Sequence, residues 1–194
     1  MIRKIVQIGT PVLTQKSQTV TNPLDPKIKA LIKDLVDTCK ANIDGTAGLS
    51  APQIGVGLRV CVCRRTDLED LEENPKLSKS QLWEVMINPE IVKLGTRASY
   101  YWEGCLSIGT GPNALFGPVA RPDLVKISYT SKNGSKQKLS AKGYFSHIIQ
   151  HEIDHLNGIL FLRYISNPKN IWKIVNLDKY LKEHDKYPPI LGQV

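Results

Sequence analysis

A β-hairpin signal that leads directly into a helical pattern constrains the fold more than any other feature of the sequence. Strand-like segments near 124–131 and 135–141 flank Asn133-Gly134, a dipeptide typical of a two-residue hairpin turn. From Lys142 the apolar spacing becomes helical through YFSHIIQHEIDHLNG, where Asn157-Gly158 supplies a stop. The pattern predicts a largely antiparallel sheet followed by a helix.

The N-terminal part of the chain predicts a helix, a loop and a strand. Asp25 and Pro26 are typical of an N-cap and a first helical residue, so we expect an amphipathic helix over about 25–43. The Gly- and Pro-containing stretch DGTAGLSAPQIGVG (44–57) predicts a loop that approaches a ligand closely, and a strand is expected near 58–64. The helical spacing is carried by Ile28, Leu31, Ile32, Leu35, Val36 and Cys39.

Three further segments complete the expected elements. The acidic stretch 66–80 predicts a solvated surface insertion, and strands are expected near 83–94 and 99–102. An amphipathic stretch, NPKNIWKIVNLDKYLKEHDK (167–186), predicts a C-terminal helix that docks on the core and exposes five lysines. Its apolar face is expected to include Ile171, Ile174, Val175 and Leu181.

Composition narrows the class of protein. The 194 residues are 41% hydrophobic and 23% charged, which is ordinary for a globular chain and excludes collagen-like and wholly disordered proteins. No apolar run reaches the ~20 residues that span a bilayer, and the start lacks the apolar core of a secretory signal, so we expect a cytoplasmic protein. The four cysteines are too few and too irregular for a disulfide framework, and Cys61 and Cys63 are expected to be buried thiols.

The formal charge of +8, from 26 basic and 18 acidic residues, favours contact with polyanions such as ribosomal RNA. A basic surface that serves solubility alone is the alternative interpretation. The C-terminal helix, with its five lysines, is the segment most suited to a ribosome contact.

The motif HEIDH is the strongest chemical signal. A four-residue spacing on a helix brings His151 and His155 to one face, where both imidazoles can bind one metal ion. Glu152 follows the first histidine directly, as required for a carboxylate that reaches a metal-activated water without being a ligand.

A catalytic metal needs a third protein ligand and one open position. The zincin pattern would place another histidine six residues after His155, but Phe161 stands there, and Glu183 is the only downstream glutamate. Cys105, in the segment WEGCLS, is the better candidate because a thiol within reach of a cation is deprotonated by it and becomes a ligand.

Taken together, these residues resemble the peptide deformylases, metal-dependent hydrolases that remove the formyl group from the N-terminal methionine of nascent bacterial proteins. The family motif GxGxAAPQ has its counterpart in TAGLSAPQ (46–53), while EGCLS (103–107) and QHExDHLxG, here QHEIDHLNG (150–158), are intact. The resemblance covers about residues 1–166. It implies a catalytic domain over 1–166 and a basic C-terminal helix and tail over 167–194 within that same domain.

The resemblance also implies the architecture and the cofactor. The fold would be α+β, with antiparallel sheets around a central helix that bears HEIDH, plus an N-terminal and a C-terminal amphipathic helix. Cys105, His151 and His155 would bind one divalent metal per chain, with Fe²⁺ as the physiological ion and Ni, Co or Zn as substitutes. The substrates would be N-formylmethionyl nascent peptides, and the enzyme would be a monomer that makes no membrane contact.

Roles for individual residues follow from the same resemblance. Glu152 would act first as base and then as acid, while Gln53 and the backbone N–H of Leu106 would stabilise the oxyanion. The backbone of three residues would line the peptide groove: Ala47, Gly48 and Gly104. The pocket for the methionine side chain would contain Tyr144, His147 and Ile148.

The chain departs from the family pattern at three places. Thr46 stands where the first glycine of the loop motif is usual, and Gly45 is expected to take over its conformational freedom. Ser50 replaces a usual alanine, and the segment after EGCLS, IGTGPNALFGPVAR, is long and Gly-rich before it reaches Arg121. Asp154 and Gln150 have no catalytic role in this scheme and are expected to hold a histidine or a helix end.

Three other functions fit parts of the pattern. An HExxH metallopeptidase would cleave internal peptide bonds and would use Glu183 or another carboxylate as third ligand. A Cys-His hydrolase would use Cys105 as nucleophile, although metal capture would remove that freedom. A ribosome- or RNA-binding factor without activity is opposed by the complete ligand set and by Glu152.

Overall fold

The helices and strands of this computed structural model are described for residues 1–42, 46–71 and 82–192. The first helix, α1, covers Pro26–Ala41, and two others follow near the C-terminus, α2 at Gly143–Leu156 and α3 at Ile174–His184. The strands are β1 (Gly48–Ser50), β2 (Val60–Arg64), β3 (Trp83–Leu94), β4 (Ala98–Gly104), β5 (Leu115–Pro122), β6 (Leu124–Thr130), β7 (Lys136–Lys142) and β8 (Trp172–Lys173).

Two antiparallel sheets form the β part of the fold. The larger has the strand order β1-β2-β3-β6-β7, and the smaller has the order β4-β5-β8. Strands β6 and β7 pair in register from Leu124 opposite Lys142 to Thr130 opposite Lys136, so the predicted hairpin is confirmed. The two-residue turn expected at Asn133-Gly134 is wrong: the connection spans 131–135, where the Ser131 N–H donates to the Ser135 carbonyl at 2.9 Å. The expected class, α+β with antiparallel sheets, is confirmed as well.

Helix α1 matches its sequence signals closely. The Asp25 side chain accepts a hydrogen bond from the Lys27 N–H at 2.7 Å and Pro26 occupies the first helical position, as the N-cap pattern requires. The predicted apolar face is buried except for Val36, which is partly buried, and it packs with β1, β2 and β3 in one core cluster. Cys39 belongs to that face, and the predicted buried thiols Cys61 and Cys63 are fully buried and unpaired.

The prediction of a loop over 44–57 is wrong for most of the residues that the structure describes in that range. Residues 48–50 form β1, which pairs antiparallel with β2 (Gly48 opposite Cys63), and a 3₁₀ helix at Ala51–Ile54 follows. The low strand propensity of Gly and Ser is overridden because β2 offers an unpaired edge next to the core. Residues 43–45 lie outside the described part of the chain, and so does the expected role of Gly45.

Most of the expected surface insertion, 66–80, also lies outside the described residues. Only its start, a 3₁₀ helix at Thr66–Leu71, is part of the structure.

The C-terminal segment differs from the single helix expected over 167–186. A 3₁₀ turn at Pro168–Asn170 comes first, and β8 then pairs with Leu115 and Phe116 of β5. The helix begins only at Ile174, whose N–H donates to the Ala114 carbonyl at 2.9 Å. Pairing with β5 therefore overrides helical propensity over two residues. The buried face of the helix also differs from the expected one: Leu177 is the buried residue of α3, whereas Val175, expected on the apolar face, is 48% exposed.

Helix α2 contacts strands of both sheets. It contacts β1, β2, β6 and β7 of the larger sheet and β4 and β5 of the smaller one. Its apolar side packs with Cys61, Cys63 and Met86 of the larger sheet. The predicted stop is confirmed: Gly158 adopts φ +74°, and a Cβ there would lie 2.7 Å from the Thr14 carbonyl. Within the described ranges, no helix is long and apolar enough to cross a membrane.

Candidate metal and catalytic site

The HEIDH histidines and Cys105 meet in space. Cys105 directly follows β4, and His151 and His155 are one turn apart on α2, as their spacing predicts. One ligand atom from each of the three lies within 4.8 Å of the others, and the Cys105 Sγ is 3.3 Å from the His155 Nε2. A thiolate with two imidazoles suits a first-row transition metal, and three protein donors leave a coordination position open, so these residues fit a catalytic metal.

The surroundings of Cys105 favour ionisation of its thiol. Burial opposes its ionisation, but the neighbouring His155 and His151 outweigh burial and lower the pKa of Cys105 to about 5. The Gln53 side-chain amide and the Ser107 backbone N–H each donate to the sulfur at 3.4 Å. The two imidazoles and these two donors therefore favour the thiolate form of Cys105.

Glu103 links the cluster of Cys105, His151 and His155, called the metal group below, to a buried ion-pair network. Its carboxylate lies 2.8 Å from the His151 Nδ1 and 2.7 Å from the His147 Nε2, and it accepts two hydrogen bonds from Arg121 at 2.5 and 3.1 Å. Burial disfavours the carboxylate, but these three partners outweigh burial and hold the pKa of Glu103 well below its usual range. Because Glu103 engages Nδ1 of His151, Nε2 is the atom left for a metal.

Asp154 and Gln150 were expected to hold a histidine or a helix end, but Asp154 binds Arg121 and Gln150 binds the Pro122 carbonyl instead. The Asp154 carboxylate lies 2.6 Å from the Arg121 Nη1, so it completes the network around Glu103. The Gln150 side-chain amide donates to the carbonyl of Pro122 at 2.9 Å and thereby fixes α2 to the end of β5.

Glu152 is buried beside the metal group. The Ser50 hydroxyl donates to its carboxylate, and burial raises the pKa of Glu152 above its usual value. Gly48 lies so close that a Cβ at that position would be 2.6 Å from the Glu152 Oε1. Strand β1 therefore fixes the carboxylate of Glu152 at two points.

The Gln53 amide has a fixed orientation. Its Oε1 accepts from the Ser50 N–H at 2.8 Å, which leaves the NH₂ group directed at the Cys105 sulfur. Leu106 follows Cys105 in the chain and lines the same cavity.

A cavity of about 390 Å³ opens over these residues. All candidate site residues except His155 line it, and His155 lies beneath it, 1% exposed. The candidates that line the cavity are Ala47, Gly48, Gln53, Gly104, Cys105, Leu106, Tyr144, His147, Ile148, His151 and Glu152. Thr46 lines it too; its φ is not in the left-handed region, and its buried hydroxyl has no hydrogen-bond partner among the residues that the structure describes.

Sequence reasoning missed one wall of the cavity. It is formed by Trp102 of β4, Phe116 of β5 and Ile174 at the start of α3, together with the turn that contains Gly109, Thr110, Gly111 and Ala114. The only sequence signal was the unusual length of the segment after EGCLS. The roles of Glu103 as partner of His151 and of Ser50 as partner of Glu152 were missed as well, although both residues lie within the family motifs. The pairing of Arg121 with Glu103 was also missed.

The fold and the site fit one class of protein, an α+β metal-dependent hydrolase, because a Cys-His-His group that could hold a metal lies beside the glutamate of an HExxH motif. The profile of the polypeptide deformylase family matches residues 2–170. The peptide deformylase of Wolbachia from Brugia malayi is 36% identical over 174 residues, 90% of this chain and 93% of its own length. The chain belongs to the polypeptide deformylase family.

Solved structures agree with this assignment. The crystal structure of peptide deformylase from Ehrlichia chaffeensis superposes with a TM-score of 0.72 at 31% identity, over 98% of this chain and 100% of that one. The same enzyme in complex with actinonin gives a TM-score of 0.72 at 30% identity, over 95% and 99%. Members of the family are metal-dependent and remove the formyl group from N-formylmethionyl nascent peptides, so this chain is a hydrolase of N-terminal protein processing.

The metallopeptidase alternative is not supported. The relatives and structures are deformylases, and Glu183, its proposed third ligand, is an exposed residue of α3 that lies 3.9 Å from Lys179. The ligand group identified among the described residues contains Cys105 instead.

Proposed function

We propose that the chain deformylates nascent peptides with a metal held by Cys105, His151 and His155, while Glu152 transfers the proton. The observation that carries the proposal is the buried carboxylate of Glu152 beside a Cys-His-His group whose ligand atoms lie within 4.8 Å of one another. The reaction adds water to the formyl carbon and breaks the C–N bond. Formate and a free methionyl amine are the products.

Fe²⁺ is the proposed resident metal, with Ni, Co or Zn as substitutes. The family resemblance and the mixed thiolate and imidazole donors support this choice. When bound, such a dication lowers the pKa of water towards neutrality and polarises the formyl carbonyl. The pairing of His151 with Glu103 fixes its ring orientation and raises its basicity as a ligand.

Glu152 takes the proton of the attacking water and delivers it to the leaving amine. Burial raises the pKa of Glu152, and this shift favours proton uptake by its carboxylate. Ser50 and Gly48 hold the carboxylate in one position, so the proton is exchanged at a fixed site.

Gln53 and Leu106 stabilise the negative charge that develops on the formyl oxygen. The Gln53 NH₂ is aimed at the metal group because its carbonyl end is held by the Ser50 N–H. The Leu106 backbone N–H directly follows the Cys105 ligand. Donors fixed in this way before the reaction typically contribute about 10²- to 10³-fold in rate each.

The peptide lies along the backbone of Ala47, Gly48 and Gly104, and the methionine side chain enters a pocket formed with Tyr144, His147 and Ile148. Two features support this arrangement. All six residues line the same cavity, which opens over Cys105 and His151. The Gly104 Cα also lies so close to the Phe116 ring that a Cβ at position 104 would be 2.5 Å from that ring.

Further proposals concern the cellular setting. The enzyme acts in the cytoplasm as a monomer, and the lysines of 167–186 contact the ribosome, where its substrates emerge. The exposure of Lys179 (76%) on α3 and the formal charge of +8 support an electrostatic contact of this kind. Residues 1–166 form the catalytic part and 167–194 the basic extension of one domain.

The experiment that tests the mechanism is formate release from a formyl-methionyl peptide with anaerobically purified protein. Glu152→Gln keeps the size of the side chain but cannot exchange the proton, so turnover should fall about 10²-fold or more while the metal stays bound. Glu183→Gln, the same change at the exposed glutamate, is the matched control and should leave turnover unchanged.

Two results would contradict the assignment of Glu152. Near-normal turnover of Glu152→Gln would remove this residue from the mechanism. Loss of the metal from that variant would make Glu152 a ligand. Actinonin, which is bound to the Ehrlichia chaffeensis enzyme, serves as a probe of site integrity and should still bind the variant.

A further inference from the structure

The two proposed oxyanion donors are joined by three consecutive residues near the start of the chain. We call residues 6–8 the N-terminal arm. The Val6 N–H donates to the Gln53 carbonyl at 2.9 Å, and the Ile8 N–H donates to the Ser107 carbonyl at 2.8 Å. The arm therefore lies between the segment that carries Gln53 and the segment that follows Cys105.

Between these two backbone contacts, the Gln7 side chain engages the turn after Cys105. Its Nε2 donates to the Leu106 carbonyl at 2.9 Å, and its Oε1 accepts from the Gly109 N–H at 3.2 Å. Both ends of one amide are thus used, and they hold the two ends of a four-residue turn. On its other side the turn packs tightly, since a Cβ on Gly109 would lie 2.2 Å from the Asn113 carbonyl oxygen.

The contacts of the turn explain why its position matters. The Ser107 N–H donates to the Cys105 sulfur at 3.4 Å, so the same turn contacts the proposed metal ligand. The Leu106 N–H and the carbonyl that Gln7 holds belong to the same residue. A shift of that carbonyl changes the direction of the N–H, because both belong to the same short backbone segment.

We propose that Gln7 is a positioning residue for the deformylation reaction: it fixes the turn 106–109 so that the Leu106 N–H points at the developing oxyanion. The inference rests on the proposed function, which assigns the oxyanion to Gln53 and Leu106. Gln7 is exposed and lies outside the cavity lining, so it acts through the backbone and not by touching the substrate.

The test compares Gln7→Leu with wild type and with Gln15→Leu in the metal-loaded enzyme. Gln7→Leu keeps the side-chain size but removes both hydrogen bonds, whereas exposed Gln15 carries the same change elsewhere in the N-terminal segment. Loss of a complete oxyanion donor costs about 10²- to 10³-fold in kcat, so a misdirected one should lower kcat about tenfold. KM should stay within about twofold, because the interaction lost belongs to the transition state.

Gln7→Glu distinguishes the effects of the two hydrogen bonds. It keeps an acceptor for the Gly109 N–H but places a carboxylate oxygen against the Leu106 carbonyl, so kcat should fall at least as far as in Gln7→Leu. Metal content and the melting temperature should match those of Gln15→Leu in both variants.

Each contrary result overturns the proposal in its own way. Full kcat in Gln7→Leu, or in Gln7→Glu, would show that the bond to Leu106 does not set the rate. A fall in kcat matched by equal loss of metal or by a lower melting temperature would make Gln7 merely structural. Wild-type protein that releases no formate would overturn the proposed function itself, and the inference with it.

Discussion

Replacing Gly48 by alanine should displace the carboxylate of Glu152, the proposed proton carrier, and leave metal binding unchanged. A Cβ at position 48 would lie 2.6 Å from the Glu152 Oε1 and 2.8 Å from its Cγ, whereas ordinary contact begins near 3.4 Å. The carboxylate must therefore move by about 0.8 Å, and it is buried and bonded to Ser50, which leaves it little room. A misplacement of this size costs about 10²-fold in rate, so kcat should fall by about that factor.

The assay is formate release under saturating formyl-methionyl peptide, with the metal content measured on the same sample. Gly57→Ala is the matched control: the φ of Gly57 is not positive, and a Cβ there would meet only the Val12 Cγ2, at 3.8 Å. Its kcat should equal that of wild type. If Gly48→Ala retained kcat within about threefold, the position of the carboxylate would not limit the rate. If it lost its metal, the damage would lie in the ligand group and the reasoning about Glu152 would fail.

Three further predictions concern the metal and the cavity. Cys105→Ala, His151→Ala and His155→Ala should each fail to retain the metal after gel filtration, because three ligands leave none to spare; full occupancy in Cys105→Ala would reject the thiolate. Activity of the iron form should decay in air and persist longer with nickel or cobalt, and equal lifetimes with and without oxygen would contradict the iron assignment. Ile174→Ala should change kcat/KM most for formyl-methionyl peptides in which a bulky residue follows the methionine. Val175→Ala, at an exposed position, should leave kcat/KM unchanged for all of these peptides.

The sequence predicts well those parts of the molecule that depend on neighbours in the chain. The cap of α1, the hairpin of β6 and β7 and the stop at Gly158 each need only a few adjacent residues, and each is confirmed. The helical spacing of HEIDH likewise brings His151 and His155 to one face before any tertiary contact is known. Their roles, and that of Cys105, remain predictions that the proposed experiments test.

Contacts between distant segments are what the sequence did not reveal. No local pattern shows that Arg121 would lie against Glu103 and Asp154, since the three come from β5, β4 and α2. The C-terminal segment is a second case. Its residues have helical spacing, but an open edge on β5 draws Trp172 and Lys173 into a strand and shifts the buried face of the helix to Leu177.

The error over residues 44–57 bears directly on the chemistry. A loop would give no reason for Gly48 and Ser50 to face the same side, but alternate residues of a strand do so. In β1 both face Glu152: the missing side chain of Gly48 leaves room for the carboxylate, and the hydroxyl of Ser50 holds it. Serine in place of the usual alanine therefore adds a hydrogen bond where the proposed mechanism exchanges its proton. Ser50→Ala should remove that bond and leave a gap the size of one hydroxyl beside the carboxylate, so that Gly48 alone restricts its position.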